Sequence, residues 1–231
     1  MIRLLRHLPN AMTCGNLLCG CIGTVQAMQG YLDTAAWLIL LAAVLDFLDG
    51  FVARLLGVSS AIGKELDSLA DCVTFGLLPA ILVFQYCRVI LQVGNVSYLA
   101  FLIAVLSALR LAKFNVDTRQ TDRFIGVPTP ANALLIASFP LIEQYQPYFN
   151  PLWQNNPTMG VLIGFSFLLV SELPLFALKF STFGWRENRI KYIFLILSAG
   201  LLLFLRFAAV PVIILLYIVL SLFSRGEKVV R

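Results

Sequence analysis

The chain has 231 residues, of which 60% are hydrophobic and 13% charged, and its mean hydropathy is +0.88. Soluble domains carry roughly 25% charged residues, so this composition excludes a water-soluble globule, a disordered chain and a secreted disulfide scaffold, leaving an integral membrane protein. The formal net charge of +5 is spread through short loops rather than gathered in a stripe, which excludes a nucleic-acid surface.

In chain order, Arg3 and Arg6 precede an apolar stretch much as in a signal peptide. No small-x-small cleavage site follows, and Pro9, Asn10, Thr13 and Asn16 interrupt the run, so this segment is read as retained. Apolar runs then predict spans at 11–30, 32–54, 63–86, 97–114, 130–146, 158–178, 190–206 and 208–224. The last two are either one long helix or two. Pro211 and a lone Arg206 argue for a break, since proline removes a backbone donor and arginine is costly at mid-membrane. With eight spans and a cytoplasmic N-terminus, fifteen of the 17 basic residues fall inside, and only Arg88 and Arg206 fall outside. The expectation is an all-α polytopic membrane bundle of about eight transmembrane helices with both termini cytoplasmic. It forms one domain over 1–231, with a core at 8–140 and accessory helices at 158–224. Tyr145, Tyr148, Phe149 and Trp153 read as an interfacial aromatic belt at the outer face.

Five cysteines with no CxxC pair read as small helix-packing residues, and a single histidine, His7, excludes histidine-based zinc sites and Ser-His-Asp chemistry. The acidic residues are more informative. Asp46 and Asp49 are i,i+3 near the cytoplasmic end of the second span, and Asp67 and Asp71 are i,i+4 near the cytoplasmic start of the third. Each pair therefore shares a helix face, and the two pairs lie at the same membrane surface. Four carboxylates there repel one another and need a cation. With no histidine at hand, the all-oxygen set suits two divalent ions, Mg²⁺ or Mn²⁺ with Ca²⁺ possible, bridging a phosphoryl or pyrophosphate group. Gly50, Ala53, Gly57 and Gly63 leave room beside the acids, and Arg54 at the rim is a natural pyrophosphate clamp. Two blander readings compete: helix-end charges facing loop water, or a cation or proton pathway of a transporter. Against the pathway, Glu143 and Glu172 lie on other spans, and the outer halves of spans two and three carry no carboxylate.

Two further sets of residues are candidates. Asn10, Thr13 and Asn16 line one helix face with neutral donors and acceptors, which suits a cytosine or ribose edge; capping and interhelical hydrogen bonding are the alternative. Arg110 and Lys113 share a face one turn apart at the inner end of the fourth span. They suit an acceptor carboxylate or a lipid phosphate, or they snorkel to headgroups. Asp117 and Asp122 read as solvated loop charges, and Lys179, Arg186, Arg189 and Lys191 as headgroup contacts.

The string Asp46-x2-Asp49-Gly50-x2-Ala53-Arg54-x8-Gly63-x3-Asp67-x3-Asp71 resembles the signature of the CDP-alcohol phosphatidyltransferase family at all eight positions. The resemblance implies transfer of a phosphatidyl group from a CDP-activated lipid to an alcohol, with release of CMP. It implies that Asp46, Asp49, Asp67 and Asp71 bind two divalent cations, with Asp71 the candidate base and Asp67 beside it in catalysis. It further implies that Gly50, Ala53, Arg54 and Gly63, with Asp49, contact the CDP part.

Three flanking stretches look like the phosphatidylserine synthase branch of that family. These are Pro9-Asn10-x2-Thr13-x2-Asn16-Leu17-x2-Gly20, then Lys64 to Asp71 with Phe75, Gly76 and Pro79, and then Ala108 to Asn115 with Phe124 and Gly126 to Ala131. Lys113, Thr74 and Asn132 depart from that branch's usual Arg, Ser and Ala. The branch implies CDP-diacylglycerol and L-serine as substrates, and Lys64, Ser68, Arg110, Lys113, Asn115 and Thr129 as acceptor or phosphate contacts. Glycerol 3-phosphate or an inositol phosphate is the alternative acceptor, and a divalent-cation transporter is the alternative class. The family also implies a homodimer. The expected location is the cytoplasmic membrane of a prokaryote, among membrane lipids, with the site facing the cytoplasm and no nucleic-acid partner.

Overall fold

The computed structural model describes residues 7–58, 60–117, 123–149, 156–176 and 184–223. Arg3, Arg6, Arg119, Asp122, Trp153, Lys179, Arg225, Lys228 and Arg231 lie outside the described residues, as do the side chains of Arg123, Phe124 and Arg186. The described chain is almost entirely helical. Helix α1 is Leu8–Met28 and α2 is Leu32–Leu56. A rod follows, made of α3 (Ala61–Asp71), a π-helical segment Cys72–Leu77, α4 (Leu78–Gln85) and a second π-helical turn Tyr86–Ile90. A 3₁₀ stretch, Gly94–Phe101, leads into α5 (Leu102–Val116). Then come strand β1 (Arg123–Ile125), α6 (Thr129–Tyr145), α7 (Asn156–Ser166) with a 3₁₀ turn Phe167–Leu169, and strand β2 (Pro174–Phe176). Helices α8 (Trp185–Leu205) and α9 (Ala209–Phe223) close the described chain.

Among the described residues, five helical stretches are long and apolar enough to cross a bilayer: Leu8–Met28, Leu32–Leu56, Ala61–Ile90, Gly94–Val116 and Asn188–Leu222. Their outer faces stay apolar, with Leu55 at 73% and Leu203 at 81% exposure, as expected of surfaces that meet lipid. The Asn188–Leu222 stretch is not straight. Arg206 takes φ +48° and ψ −121°, which no helix accommodates. The rings of Phe194 and Tyr217 lie 5.6 Å apart, whereas a continuous helix would hold residues that far apart in sequence roughly 35 Å from one another. The chain doubles back at Arg206. Gln146 fastens the turn, its amide nitrogen donating to Leu205 O at 3.0 Å and its Oε1 accepting from Ala208 N–H at 3.1 Å. The break favoured at Arg206 from sequence is therefore present. The expected span over 158–178 is helical only to Leu169, because beyond it Ser171, Glu172 and Pro174 end the helix and Pro174–Phe176 pairs antiparallel with Arg123–Ile125.

Local chemistry accounts for the boundaries around the acidic residues. Gly57 takes φ +62°, the left-handed cap that ends α2. Ser60 opens α3, its Oγ accepting from the Gly63 N–H at 2.9 Å. Pro79 offers no N–H and its ring crowds the carbonyl four residues back, and just before it the hydrogen-bond register widens, with Leu78 N–H donating to Val73 O. Helix α1 is the common scaffold. It packs on α2, on α3 and on the π-helical segment, while α2 and α3 touch one another only weakly. Gly20 and Gly23 let it approach so closely. A Cβ on Gly20 would fall on Thr74, and one on Gly23 on Leu78.

Candidate active site

Because α2 and α3 diverge from a shared partner, a cavity of about 710 Å³ opens between the N-terminal ends of α1 and α3 and the C-terminal end of α2. Its wall includes Asn10 and Thr13 from α1, Asp49, Gly50 and Ala53 from α2, and Ser60, Gly63, Lys64 and Asp67 from the start of α3. His7, the single histidine, stands at its mouth. Gly50 leaves open space where a side chain would project, whereas a Cβ on Gly63 would meet Asn10 Oδ1 and Ser60 Oγ, each at 3.0 Å. A side chain at Gly63 would therefore crowd the cavity wall.

At the cavity floor the carboxylates of Asp46, Asp49 and Asp67 converge, with one oxygen from each within 4.8 Å of the others. Asp71 lies one turn deeper and is 7% exposed. Asp46 is within hydrogen-bonding reach of both Asp67 and Asp71 and so links the three-acid cluster to the buried one. The cluster is all oxygen and half-buried. That donor set fits a hard divalent cation. Two side chains from α1 reach these acids. Thr13 Oγ1 donates to Asp49 Oδ2 at 2.6 Å, and Asn16 Nδ2 donates to Asp71 Oδ1 at 3.3 Å.

The other candidates from sequence fall into separate places. Asn16 is fully buried beneath the cavity and is held there by Thr74, whose hydroxyl donates to the Asn16 carbonyl at 3.1 Å. It faces Asp71, while Asn10 and Thr13 line the cavity. Arg54 is exposed and does not line the cavity. Lys64, Ser68 and Asn115 form one linked group between α3 and α5, with Asn115 Nδ2 donating to Ser68 Oγ at 2.9 Å and Lys64 Nζ to Asn115 O at 3.4 Å. Arg110 and Thr129 form another, with Arg110 Nη1 donating to Thr129 Oγ1 at 3.2 Å. Arg110 is buried, stacks over Phe114 at 5.2 Å, and is close enough to Asp71 to interact with it electrostatically. Lys113 is exposed and borders a small cleft with Arg110, Asp117, Ile125 and Ser171.

Sequence reasoning missed Tyr217 and Ser221 on α9, which bond to the backbone of β2 near this second group. Two hydroxyls in a uniformly apolar run give no local signal, because their partners are main-chain atoms forty residues away.

Residues 6–223 match the family model described as CDP-alcohol phosphatidyltransferase. Among curated relatives, a CDP-diacylglycerol–serine O-phosphatidyltransferase of Helicobacter pylori is 30% identical over 86% of this chain and 81% of its own. One of Bacillus subtilis is 33% identical over 73% and 89%. An archaetidylserine synthase of Methanothermobacter thermautotrophicus is 33% identical over 72% and 68%.

Proposed function

The chain belongs to the CDP-alcohol phosphatidyltransferase family, and from that premise we propose that it transfers the phosphatidyl group of CDP-diacylglycerol to the hydroxyl of L-serine, giving phosphatidylserine and CMP. The observation that carries the reading is the continuity of a nucleotide-sized cavity with a floor of converging carboxylates. Relatives named for the serine transfer at 30–33% identity support the acceptor. Two divalent cations held by Asp46, Asp49, Asp67 and Asp71 would neutralise the pyrophosphate and the charge that develops at phosphorus.

The chain's own residues do the rest. Asn10, Thr13, Gly50, Ala53 and Gly63 hold the cytidine and its phosphates against the wall, with Gly50 and Gly63 allowing backbone approach. Thr13 also fixes the Asp49 carboxylate in place. The proton of the serine hydroxyl passes to Asp71, and the hydroxyl oxygen attacks the phosphorus bearing diacylglycerol. The bond from that phosphorus to the bridging oxygen breaks, and CMP leaves with it. Arg110, backed by Thr129 and Phe114, holds the serine carboxylate within reach of Asp71. Lys64, Ser68, Lys113 and Asn115 border the acceptor's route, and Arg54, exposed beside the cavity-lining Ala53, reaches the donor's phosphates from outside the wall. Diacylglycerol stays in the bilayer beside the exposed faces of α2 and α3. Eight spans with both termini cytoplasmic, in a prokaryotic cytoplasmic membrane, complete the reading, supported by the sequence distribution of the basic residues.

The test is CMP release from CDP-diacylglycerol by detergent-purified protein with Mn²⁺ or Mg²⁺ and either serine, glycerol 3-phosphate or an inositol phosphate. Turnover with serine alone is expected, and Asp71→Asn should lower it at least ~100-fold, the range for loss of a positioned general base. Turnover with another acceptor moves the protein to a sister branch. No CMP release with any acceptor overturns the transferase reading.

A further inference from the structure

The C-terminal helix α9 makes an unusual contact. Both backbone groups of one residue, Phe176 in β2, are bonded by α9 side chains. Tyr217 Oη donates to Phe176 O at 2.7 Å, and Ser221 Oγ accepts from Phe176 N–H at 3.4 Å while donating to Tyr217 O at 2.7 Å. Spaced i,i+4, the two hydroxyls cover Phe176 as a third strand would. The Tyr217 ring also packs edge-on against Phe176, with centroids 4.9 Å apart.

From Phe176 the connection runs directly to the site. Residue Phe176 pairs with Arg123 in β1. In the two residues that follow β1, Gly126 N–H donates to Leu173 O at 2.9 Å and Val127 N–H to Leu168 O at 3.0 Å. Gly126 takes φ +78°, and a Cβ there would collide with the carbonyls of Leu169 and Ser171, so this loop is seated without slack. The next turn begins α6 with Thr129, the residue that accepts from Arg110. Tyr217 is itself near enough to Arg110 to interact with it electrostatically.

We propose that Tyr217, with Ser221, is a positioning residue for Arg110: it clamps β2, and through β1 and the 126–129 turn it holds the Arg110 guanidinium in the orientation that receives the acceptor's carboxylate. The acceptor's identity rests on the function proposed above; the clamp on Arg110 rests on the contacts alone. Tyr217 makes no contact with the reacting atoms in this account. Its hydroxyl sets where Arg110 sits, so its loss alters acceptor binding and leaves the chemistry of the acidic cluster in place.

The test is Tyr217→Phe, which removes the hydroxyl and keeps the ring, with Ser221→Ala beside it. The KM for serine is expected to rise about tenfold, the effect of one lost hydrogen bond next to a charged group, while kcat, the KM for CDP-diacylglycerol and the melting temperature stay near wild type. A second readout needs no turnover. Phenylglyoxal should modify Arg110 faster in the variant than in the wild type, followed by mass spectrometry with exposed Arg88 as the internal reference. Unchanged serine KM together with unchanged Arg110 reactivity reduces Tyr217 to a packing residue and overturns the clamp. So does an Arg110 that already reacts like Arg88 in the wild type. If the wild type ignores serine, the acceptor reading fails, and the reactivity of Arg110 still decides the clamp.

Discussion

Asn16 is fully buried, donates to Asp71 and leaves its Oδ1 without a partner. A buried acceptor with no donor is costly, and a water would satisfy it. Its sequence position on one face with Asn10 and Thr13 points to nucleotide recognition. The structure puts it a turn too deep for that, on the residue proposed to take the acceptor's proton. Asn16→Ala is therefore expected to lower kcat by roughly 10-fold or more, the loss of a hydrogen bond to a charged group, with the KM for CDP-diacylglycerol little changed. The double variant with Asp71→Asn should cost no more than Asp71→Asn alone. Steady-state CMP release checks both, and a rise confined to the donor's KM would return Asn16 to the nucleotide. Gly63 gives the opposite pattern. In Gly63→Ala the added methyl would press on Asn10 and Ser60 at 3.0 Å, so the donor's KM should rise roughly 5-fold or more, with kcat retained. The four aspartates were legible from spacing because i,i+3 and i,i+4 pairs fix a shared face. The depth of Asn16 was not, because depth depends on how far α1 slides along its neighbours.

That slide is set at the scale of elements. Helix α1 meets the π-helical segment Cys72–Leu77 through Gly20, on which a Cβ would land against Thr74, the residue that holds the Asn16 carbonyl. Gly20→Ala is expected to destabilise the protein by about 1–3 kcal/mol, the usual cost of overpacking a close contact. Thermal unfolding in detergent measures it, with activity falling in parallel as Asn16 and Thr13 shift off Asp71 and Asp49. A melting temperature equal to wild type would mean that α1 is not seated by this contact. Hydropathy located α1, α2, the Ala61–Ile90 rod and the Gly94–Val116 stretch closely, since lipid imposes long apolar helices whose backbone bonds are internal. It missed both π-helical turns; the first, Cys72–Leu77, ends just before Pro79, whose ring acts on a carbonyl a turn earlier. It also missed the β1–β2 ribbon. Three-residue strands leave no periodic pattern, and Pro174–Phe176 reads as the tail of an apolar run until its pairing with Arg123–Ile125 is seen.

At the scale of the whole molecule, the Ala61–Ile90 rod fixes which groups share a membrane face. It is 30 residues long, so its ends stand roughly 40 Å apart, about the full thickness of a bilayer. Lys64 near its start touches Asn115 at the end of α5, and Gln85 near its finish donates to Met28 O at the end of α1. The cavity, the acidic cluster and Arg110 thus lie at one end. Met28, Arg88, Gly94 and the Trp37–Tyr145–Phe207 ring cluster lie at the other. The function proposed above puts the first end in the cytoplasm, in line with the positive-inside count of basic residues in the sequence. Glu65 and Asn95 are both exposed and lie at opposite ends of this arrangement. In protein freed of its native cysteines, a membrane-impermeant maleimide should reach Glu65→Cys in inverted vesicles and Asn95→Cys in intact spheroplasts, with neither labelled from the wrong side. The reverse pattern would place the cavity outside, where a CDP-linked donor made in the cytoplasmic leaflet could not enter it without crossing the bilayer. Labelling of both positions from one side would mean that the rod does not span. Either result would break the link between the acidic cluster and a cytoplasmic nucleotide, on which the proposed transfer depends.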